Sequence, residues 1–220
     1  QVYTLIYMLK IRYIFGRYNE CGDICRKLNK LIKNKAAIGT LHIPEFYFYY
    51  SLCLTTMIKN PGPGLTIKSR IILMLNRFKM KKWAVNCPAN FEHKYLLIEA
   101  EIARLNSNHK KAVPLYEKAI KSAHENNYTQ NEAIASELAG KFYLSLGYEK
   151  VGKTYIEDAY KCFERWGAAA KLSELEEAYP FLIVRKTKYM SVMESYSSTI
   201  SHGSGFTSST LDISTIMKVS

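Results

Sequence analysis

One helical segment of this chain occurs twice, and the positions that match between the two copies lie 40 residues apart. The first copy is KKAVPLYEKAIKSA at 110–123, and the second is EKVGKTYIEDAYKC at 149–162. The matched positions are Ala112 with Gly152, Tyr116 with Ile156 and Ala119 with Ala159, and in the preceding helix Ala100 with Gly140 and Ala103 with Tyr143. Small and large residues that recur at such a period are typical of helix pairs stacked in a solenoid. The small residues are predicted to permit close contact between helices.

The rest of the chain is predicted to extend this stack. The phrase FGRYNECGDICRKL at 15–28 is similar to the helix–turn–helix centre of a tetratricopeptide-type repeat. Apolar periodicity, interrupted by Gly, Pro and Asn, divides the chain into helices. The predicted helices cover 2–15, 19–34, 43–58, 66–85, 90–105, 110–126, 129–146, 151–166 and 168–178. The sequence therefore predicts an all-α fold: a tetratricopeptide-like α-solenoid of four antiparallel helix pairs with a closing C-terminal helix.

Two helices carry side-chain patterns that predict which residues are buried. The aromatic run at 46–50 has helical spacing and is predicted to be core, although such a cluster can also form a ligand platform. In the helix at 66–85 the apolar residues predicted to face inward are Ile71, Ile72, Leu75, Phe78 and Trp83. The basic residues predicted to face outward in that helix are Arg70, Arg77, Lys79, Lys81 and Lys82.

Polar residues are predicted to stabilise three helices locally. Asn90 is predicted to cap the helix that follows it. Thr129 precedes Glu132 by three residues, which is the spacing of a capping box. Glu117 and Lys121 are predicted to form an i,i+4 ion pair.

Positive charge is concentrated in the first part of the chain. Residues 1–90 contain 15 Lys and Arg against 3 Asp and Glu, whereas residues 91–220 contain 16 of each kind. A basic half favours nucleic acid or an acidic partner surface. Because no nucleic-acid motif accompanies the charge, a solvated lysine-rich helix surface is the favoured interpretation, and nucleic acid is not the expected partner.

The sequence contains no motif for catalysis, a cofactor or a metal. It lacks a nucleophile elbow, a kinase signature and a zinc-ligand set. The loop NPGPG at 60–64 precedes Lys68, but the residue directly before that lysine is Ile67, where a phosphate loop requires Gly. The five cysteines are predicted to be buried free thiols in a reducing cytoplasm, and they are Cys21, Cys25, Cys53, Cys87 and Cys162. The segment is therefore predicted to be non-catalytic, with no catalytic, cofactor-binding or metal residues.

Two further polar positions are interpreted as structural. His93 lies at a helix start and is predicted to have no role in a site. Glu99 and Glu101 could line the groove of the solenoid, but a solvated face or bonding within the helix is the favoured interpretation. No apolar run reaches the roughly 20 residues that a membrane span needs, and the chain does not begin with a signal-peptide pattern.

The character of the sequence changes after the last predicted helix. Ten of the nineteen residues at 191–209 are Ser or Thr, which is typical of a flexible linker. The segment TLDISTIMKVS at 210–220 has the pattern of a new helix. We therefore expect a helical-repeat domain at 1–184, a linker at 185–209 and the start of a following module at 210–220. The chain begins with Gln and ends within a pattern, which predicts a piece of a longer polypeptide.

Several phrases resemble one region of much larger proteins. The phrases are KMKKWAVNCPANFEHKYLLIEAEIARL at 79–105, ELAGKFYLSLG at 137–147, YKCFERWGAAAKL at 160–172 and LEEAYP at 175–180. They resemble the helical-repeat section of very large bacterial, fungal and protist signalling proteins. In those proteins a serine/threonine-kinase-like domain and an AAA-type ATPase module come first, and a GAF sensor domain and a histidine kinase follow. The resemblance covers about residues 1–183, and LDISTIMKVS is similar to the helix that leads into the GAF domain.

The resemblance implies a role for the segment but no catalytic residue within it. The role is that of a cytoplasmic, non-catalytic scaffold that couples the upstream ATPase and kinase-like modules to the downstream sensor and histidine kinase. ATP and Mg²⁺ are implied for the parent protein only, and the implied partners are other domains of the same polypeptide or regulatory proteins. Two alternatives stay open: a stand-alone protein- or peptide-binding repeat module, and a basic nucleic-acid-binding helical domain.

Overall fold

The computed structural model of the chain describes residues 1–33, 42–59 and 66–184. Every regular element within these ranges is an α-helix. In chain order the helices are α1 (Val2–Ile14), α2 (Tyr18–Lys33), α3 (Ile43–Lys59), α4 (Thr66–Asn86), α5 (Pro88–Leu105), α6 (His109–Glu125), α7 (Thr129–Ser145), α8 (Glu149–Trp166) and α9 (Ala169–Ala178). The all-α prediction is confirmed, and each helix begins and ends within two residues of its predicted bounds. The predictions for the loop at 60–64, the linker at 185–209 and the new helix at 210–220 lie outside the described residues.

The helices form two rows. Each helix from α1 to α7 packs against the next one in the chain, as expected of antiparallel pairs. The odd-numbered helices α1, α3, α5 and α7 also pack against one another in succession. They form an inner row, and the even-numbered helices form an outer row. This arrangement is the tetratricopeptide-like α-solenoid that the sequence predicts.

The turns between the later helices repeat every 20 residues. Positive φ angles occur at Ser107 (54°), Asn127 (62°), Gly147 (82°) and Gly167 (80°). After each of them an amide donates to the carbonyl five residues earlier, from Asn108 to Ala103 at 2.9 Å, Tyr128 to Ala123 at 2.8 Å, Tyr148 to Tyr143 at 3.0 Å and Ala168 to Phe163 at 3.0 Å. This bond is the closing bond of a Schellman motif, which ends a helix by satisfying its last carbonyls. The 40-residue sequence repeat therefore contains two copies of one 20-residue helix-and-turn unit.

Glycine allows α7 and α8 to approach each other closely. A Cβ atom at Gly140 would lie 2.7 Å from Ile156 Cδ1, and one at Gly152 would lie 2.6 Å from Leu144 Cγ. Real Cβ atoms do not come so close to their neighbours. The other small residues of the repeat, Ala112, Ala119 and Ala159, are fully buried. The predicted use of small residues for close helix contact is confirmed.

The predicted inner face of α4 is wrong. Three residues predicted to face inward, Ile71, Leu75 and Phe78, are exposed, while Ile72 and Trp83 are half-buried. The residues that α4 buries are Ser69, Leu73, Asn76, Met80 and Ala84. Apolar residues lie on all sides of this helix, so periodicity could not select the side that meets α3 and α5.

Three local predictions about polar residues are also wrong. Asn90 lies inside the first turn of α5, where its side chain accepts a bond from the Tyr128 hydroxyl at 2.8 Å instead of capping the helix. Thr129 is the first residue of α7, and the cap residue before it makes no side-chain bond to the helix, so no capping box forms. Lys121 pairs with Glu125 at 3.7 Å, one turn further along α6 than predicted. Asn90 and Lys121 thus bind partners other than the predicted ones.

Two predictions about burial are confirmed. The aromatic residues at 46–50 are all buried in the core. Four of the five cysteines are buried free thiols, and Cys87 is half-buried and also free. None of the helices in the described ranges is long and apolar enough to cross a membrane.

The contact between α7 and α8 predicts the outcome of a matched pair of substitutions. Gly152→Leu should lower the free energy of unfolding by about 1–3 kcal/mol, because the new side chain overpacks against Leu144. Val151→Leu changes the neighbouring exposed position and should have little effect. Urea unfolding followed by circular dichroism measures both variants. Equal stability of the two would show that α7 and α8 do not approach at Gly152.

Candidate functional site

Helix α5 buries three charged side chains. Lys94 and Glu99 are each 5% exposed, and Glu101 is 1% exposed. The interpretation of Glu99 and Glu101 as residues of a solvated face is therefore wrong, whereas the predicted bonding within the helix occurs at Glu101, which binds Arg104. A buried charge is costly unless it is paired and hydrogen-bonded. The partners of these three residues thus define the candidate site.

The Glu101 carboxylate accepts hydrogen bonds from three helices. Arg104 donates to it from Nε at 3.0 Å and from Nη2 at 2.6 Å, within α5 itself. Thr55 on α3 donates from its hydroxyl at 3.2 Å, and the Tyr116 hydroxyl on α6 donates to the other oxygen. Both carboxylate oxygens are thus occupied by donors, and α3, α5 and α6 are joined at one group.

The other two charges of α5 each bind a different helix. Glu99 accepts from Arg77 on α4, at 3.1 Å from Nη2 to Oε2 and through a second bond from Nε. Lys111 on α6 lies 3.6 Å from the same carboxylate. Lys94 pairs with Glu45 on α3. Helix α5 is therefore tied to α3, α4 and α6 by specific ion pairs in addition to apolar contacts.

A second buried charge joins the two ends of the solenoid. Lys171 on α9 is 1% exposed, and its Nζ donates to the backbone carbonyl of Ile14, at the end of α1, at 2.8 Å. It also donates to Glu137 on α7 at 3.1 Å and to Glu174 on α9 at 3.1 Å. Helices α1, α7 and α9 thus meet at one ammonium group.

The inner helices converge so closely that their own side chains fill the space between them. Gln130 on α7 donates to the Tyr49 hydroxyl on α3 at 3.1 Å, past α5. The ring of Tyr13 on α1 lies 5.8 Å from that of Tyr49. Solenoids of this type use an extended concave surface for binding. Here the Lys171 link draws α1 and α9 together, and the concave side becomes part of the core.

The electrostatics of the network keep two of its groups, Glu137 and Tyr116, in one charge state. Burial alone would raise the pKa of Glu137, but the ammonium groups of Lys141 and Lys171 outweigh burial and hold the pKa below its ordinary value. Burial and the neighbouring Glu101 carboxylate raise the pKa of the Tyr116 phenol. These groups stay far from half-protonation at neutral pH. They are therefore unsuited to general acid–base catalysis, which needs a pKa near the working pH.

His93 on α5 is a buried imidazole. Its ring stacks near that of Tyr128, with 4.4 Å between centroids, and neither ring nitrogen has a hydrogen-bond partner in the described part of the chain. Burial, followed by the positive charge of Lys94, lowers the pKa of His93 to about 3. The structural interpretation of His93 agrees with this neutral, packed state.

The described residues contain no group of three or more His, Cys, Asp or Glu side chains placed to hold a metal ion. Sequence reasoning missed Lys94, Glu137 and Lys171 as members of the buried network. One signal was available for Lys171, which lies four residues before Leu175 on the buried face of α9. A charged residue at an apolar position of a helix can indicate a buried ion pair, because such residues are almost never fully buried unless they are paired.

The helical repeats identify the family of the chain. The family described as CHK1-like, TPR repeats, matches residues 2–145, which span α1 to the end of α7. The chain belongs to this family. Helices α8 and α9 lie beyond the matched residues.

One curated protein is similar to part of the chain. The Hybrid signal transduction histidine kinase G of Dictyostelium discoideum is 34% identical over 61 residues. The matched stretch covers 28% of this chain and 2% of that protein. No solved structure matches the chain.

The Lys171–Glu137 pair predicts a coupling energy between the two side chains. Lys171→Met should lower the free energy of unfolding by about 3 kcal/mol, because Glu137 loses one of two cationic partners and the Ile14 carbonyl loses its donor. Adding Glu137→Gln to Lys171→Met should cost less than Glu137→Gln alone, with a coupling energy of about 1–3 kcal/mol. The measurement is a double-mutant cycle from urea unfolding. The exposed pair Lys121 and Glu125 is the control, and its coupling should stay below about 0.5 kcal/mol. Equal coupling in both cycles would contradict the buried role of Lys171.

His93 predicts a loss of stability in mild acid. Its pKa is about 3 in the folded chain against an ordinary 6.5, so below about pH 6.5 only the unfolded chain takes up the proton. The free energy of unfolding should therefore fall by about 2 kcal/mol between about pH 7.5 and pH 5 through this group alone.

The variant His93→Phe tests this pH dependence. Phenylalanine keeps a ring against Tyr128 and cannot bind a proton, so the variant should lose less stability over the same pH interval. His124→Gln, at an exposed position, should keep the loss of the parent chain. A parent and a His93→Phe variant with the same pH dependence would show that His93 is not buried in the neutral form.

Proposed function

We propose that this TPR region is a non-catalytic scaffold within a signal-transduction kinase. It couples an upstream ATPase and kinase-like module to a downstream GAF sensor and histidine kinase. The proposal assigns ATP and Mg²⁺ to those modules and places the assembly in the cytoplasm. The partners of the TPR region are then other modules of the same polypeptide or regulatory proteins that bind it.

The observation that carries this proposal is the contact of Lys171 with both ends of the repeat. Its Nζ binds the Ile14 carbonyl on α1 and the Glu137 carboxylate on α7. A displacement of α1 by an upstream module therefore changes the position of α9 directly, without passing through every pair in turn. Packed interfaces of this kind shift between discrete arrangements and amplify small displacements.

The ion pairs of α5 support the same role. A solenoid held by apolar contacts alone can slide by small steps, because dispersion and burial are non-directional. Glu99 and Glu101 instead fix α5 against α3, α4 and α6 through directional bonds. A change in the position of one helix therefore breaks or preserves specific bonds to its neighbours.

The kinase context rests on the relative and on the sequence resemblance. The stretch that matches the Dictyostelium discoideum histidine kinase covers 2% of that protein, so the activity of the whole is part of the proposal. The basic residues of the first 90 positions are partly engaged inside the fold, since Arg77 binds Glu99 and Lys79 binds the Tyr47 hydroxyl at 2.6 Å. These internal contacts favour a scaffold over a nucleic-acid surface.

The test uses the full-length polypeptide that contains this chain. Inactivation of the upstream ATP-binding module should change the rate of histidine autophosphorylation when residues 1–220 are intact. Deletion of residues 91–180 should abolish that change while leaving basal autophosphorylation measurable. Lys171→Met should weaken the change in a chain that still folds, as checked by circular dichroism.

A surface substitution provides the matched control. Lys121→Met removes a lysine from an exposed pair and should leave the response of autophosphorylation intact. Coupling that survives both the deletion and Lys171→Met would exclude the scaffold role. A reading frame without a kinase module on either side of residues 1–220 would exclude the kinase context.

A further inference from the structure

Helix α4 presents an apolar face to solvent along its whole length. The exposed apolar residues of α4 are Ile67, Ile71, Met74, Leu75, Phe78 and Val85, here called the α4 stripe. At 100° per residue, these positions lie within about a third of the helix circumference. The buried residues Leu73, Met80 and Ala84 lie on the opposite side. The stripe is therefore a second apolar face in addition to the one that packs against the core.

The size of the stripe distinguishes it from ordinary surface apolar residues. Single exposed apolar side chains are common on soluble proteins. The stripe runs from Ile67 to Val85, which corresponds to about 27 Å of helix. Phe78 is 71% exposed and Val85 is 72% exposed. A continuous exposed apolar patch of this kind marks an interaction site.

The basic residues of α4 form two groups: some bind partners inside the fold, and the others have no acidic partner. Arg77 donates to Glu99, and Lys79 donates to the Tyr47 hydroxyl. The exposed basic residues near the stripe are Arg70 and Lys81 along one edge, Lys68 along the other, and Lys82 between Phe78 and Val85. No acidic residue within the described ranges lies at ion-pair distance from these residues. Helix α4 itself contains no Asp or Glu. The stripe is thus an apolar surface with uncompensated positive charge close to it.

The C-terminal end of the stripe contains a shallow cleft. The cleft is lined by Phe78, Lys81, Lys82, Val85 and Asn86. The lining of the cleft is mostly apolar, and two of its five residues are lysines. A single apolar side chain of a partner fits such a depression, with a carboxylate next to it within reach of a lysine.

On the inner side of the solenoid, α1, α7 and α9 meet at Lys171, and side chains of the protein itself occupy that place. The outer face of α4 combines exposed apolar area with unpaired charge.

We infer that the α4 stripe binds an amphipathic helix of another protein, one with an apolar face bordered by Asp or Glu. An apolar helix face laid along an apolar stripe is a recurring mode of recognition. Charge complementarity selects the acidic border, because Lys68, Arg70, Lys81 and Lys82 place positive charge beside the apolar side chains of the stripe. A second copy of α4 would place these like charges against one another, which is unfavourable. This surface goes beyond the coupling role and does not depend on it.

The test measures binding of a designed peptide to the 220-residue chain. The peptide is an amphipathic helix with leucine at i, i+3, i+4 and i+7 and glutamate on both borders. Fluorescence anisotropy should show binding, and Leu75→Ser with Phe78→Ser should weaken it about tenfold or more. Both substitutions are at exposed positions, so circular dichroism should show an unchanged fold. The control variant is Val151→Ser, at an exposed apolar position of α8. It should bind the peptide as tightly as the parent chain does.

A second experiment tests how much the positive charge contributes to binding. The double variant Lys81→Glu, Lys82→Glu should weaken binding of the acidic peptide and remove most of the salt dependence of that binding. Lys118→Glu, an exposed position on α6, is the matched control. A peptide with the same leucines and lysine in place of glutamate should not bind.

Four results would overturn the inference. The first is no binding of the acidic peptide, and the second is equal binding by the parent chain and the Leu75→Ser, Phe78→Ser variant. The third is that the chain binds phosphatidylserine vesicles but not the peptide, and that the variant loses the vesicle binding. This result would assign the stripe to a membrane surface. The fourth is a concentration-dependent dimer in sedimentation that the same variant dissolves, which would assign the stripe to a second copy. None of these results bears on the coupling of autophosphorylation.

Discussion

The buried ammonium group of Lys171 is the constraint on which the arrangement of the helices depends. An ammonium that is 1% exposed has to find partners inside the protein, since a buried charge without them is strongly destabilising. Its partners come from α1, α7 and α9, and the first helix of the stack is held against the last. The curvature of the solenoid is therefore closed tightly, and the inner side is occupied by side chains of the chain itself.

The closed inner side links the other features of the molecule. Helix α5 lies within the inner row, and the charges of Glu99 and Glu101 can be buried there only because α3, α4 and α6 each supply a donor. These directional pairs suit a region that transmits changes in helix packing. The outer row is not enclosed in the same way. On α4 one apolar face meets α3 and α5, and the opposite face remains in solvent with its basic border.

The sequence predicted the fold well because the repeat is carried by local chemistry. Small residues at Gly140, Gly152 and Ala159 permit close helix contact in any solenoid of this type, and left-handed turn positions end the helices at regular intervals. The candidate site was largely missed. A glutamate between apolar residues, such as Glu101, has the same pattern whether it faces solvent or a buried arginine. The choice between these outcomes depends on residues far away in the chain.

The sequence by itself determined the class of fold, the number and bounds of the helices in the described ranges, and the positions where helices touch most closely. These features follow from helix propensity, helix termination and side-chain volume, which act over a few residues. Only the tertiary structure decided which face of α4 is buried, which charges are paired and how tightly the stack closes. Apolar residues surround α4 on all sides, so the packing of α3 and α5 selected its inner face. The closure depends on Lys171 reaching Ile14 across more than 150 positions of sequence, and no local pattern records such a contact.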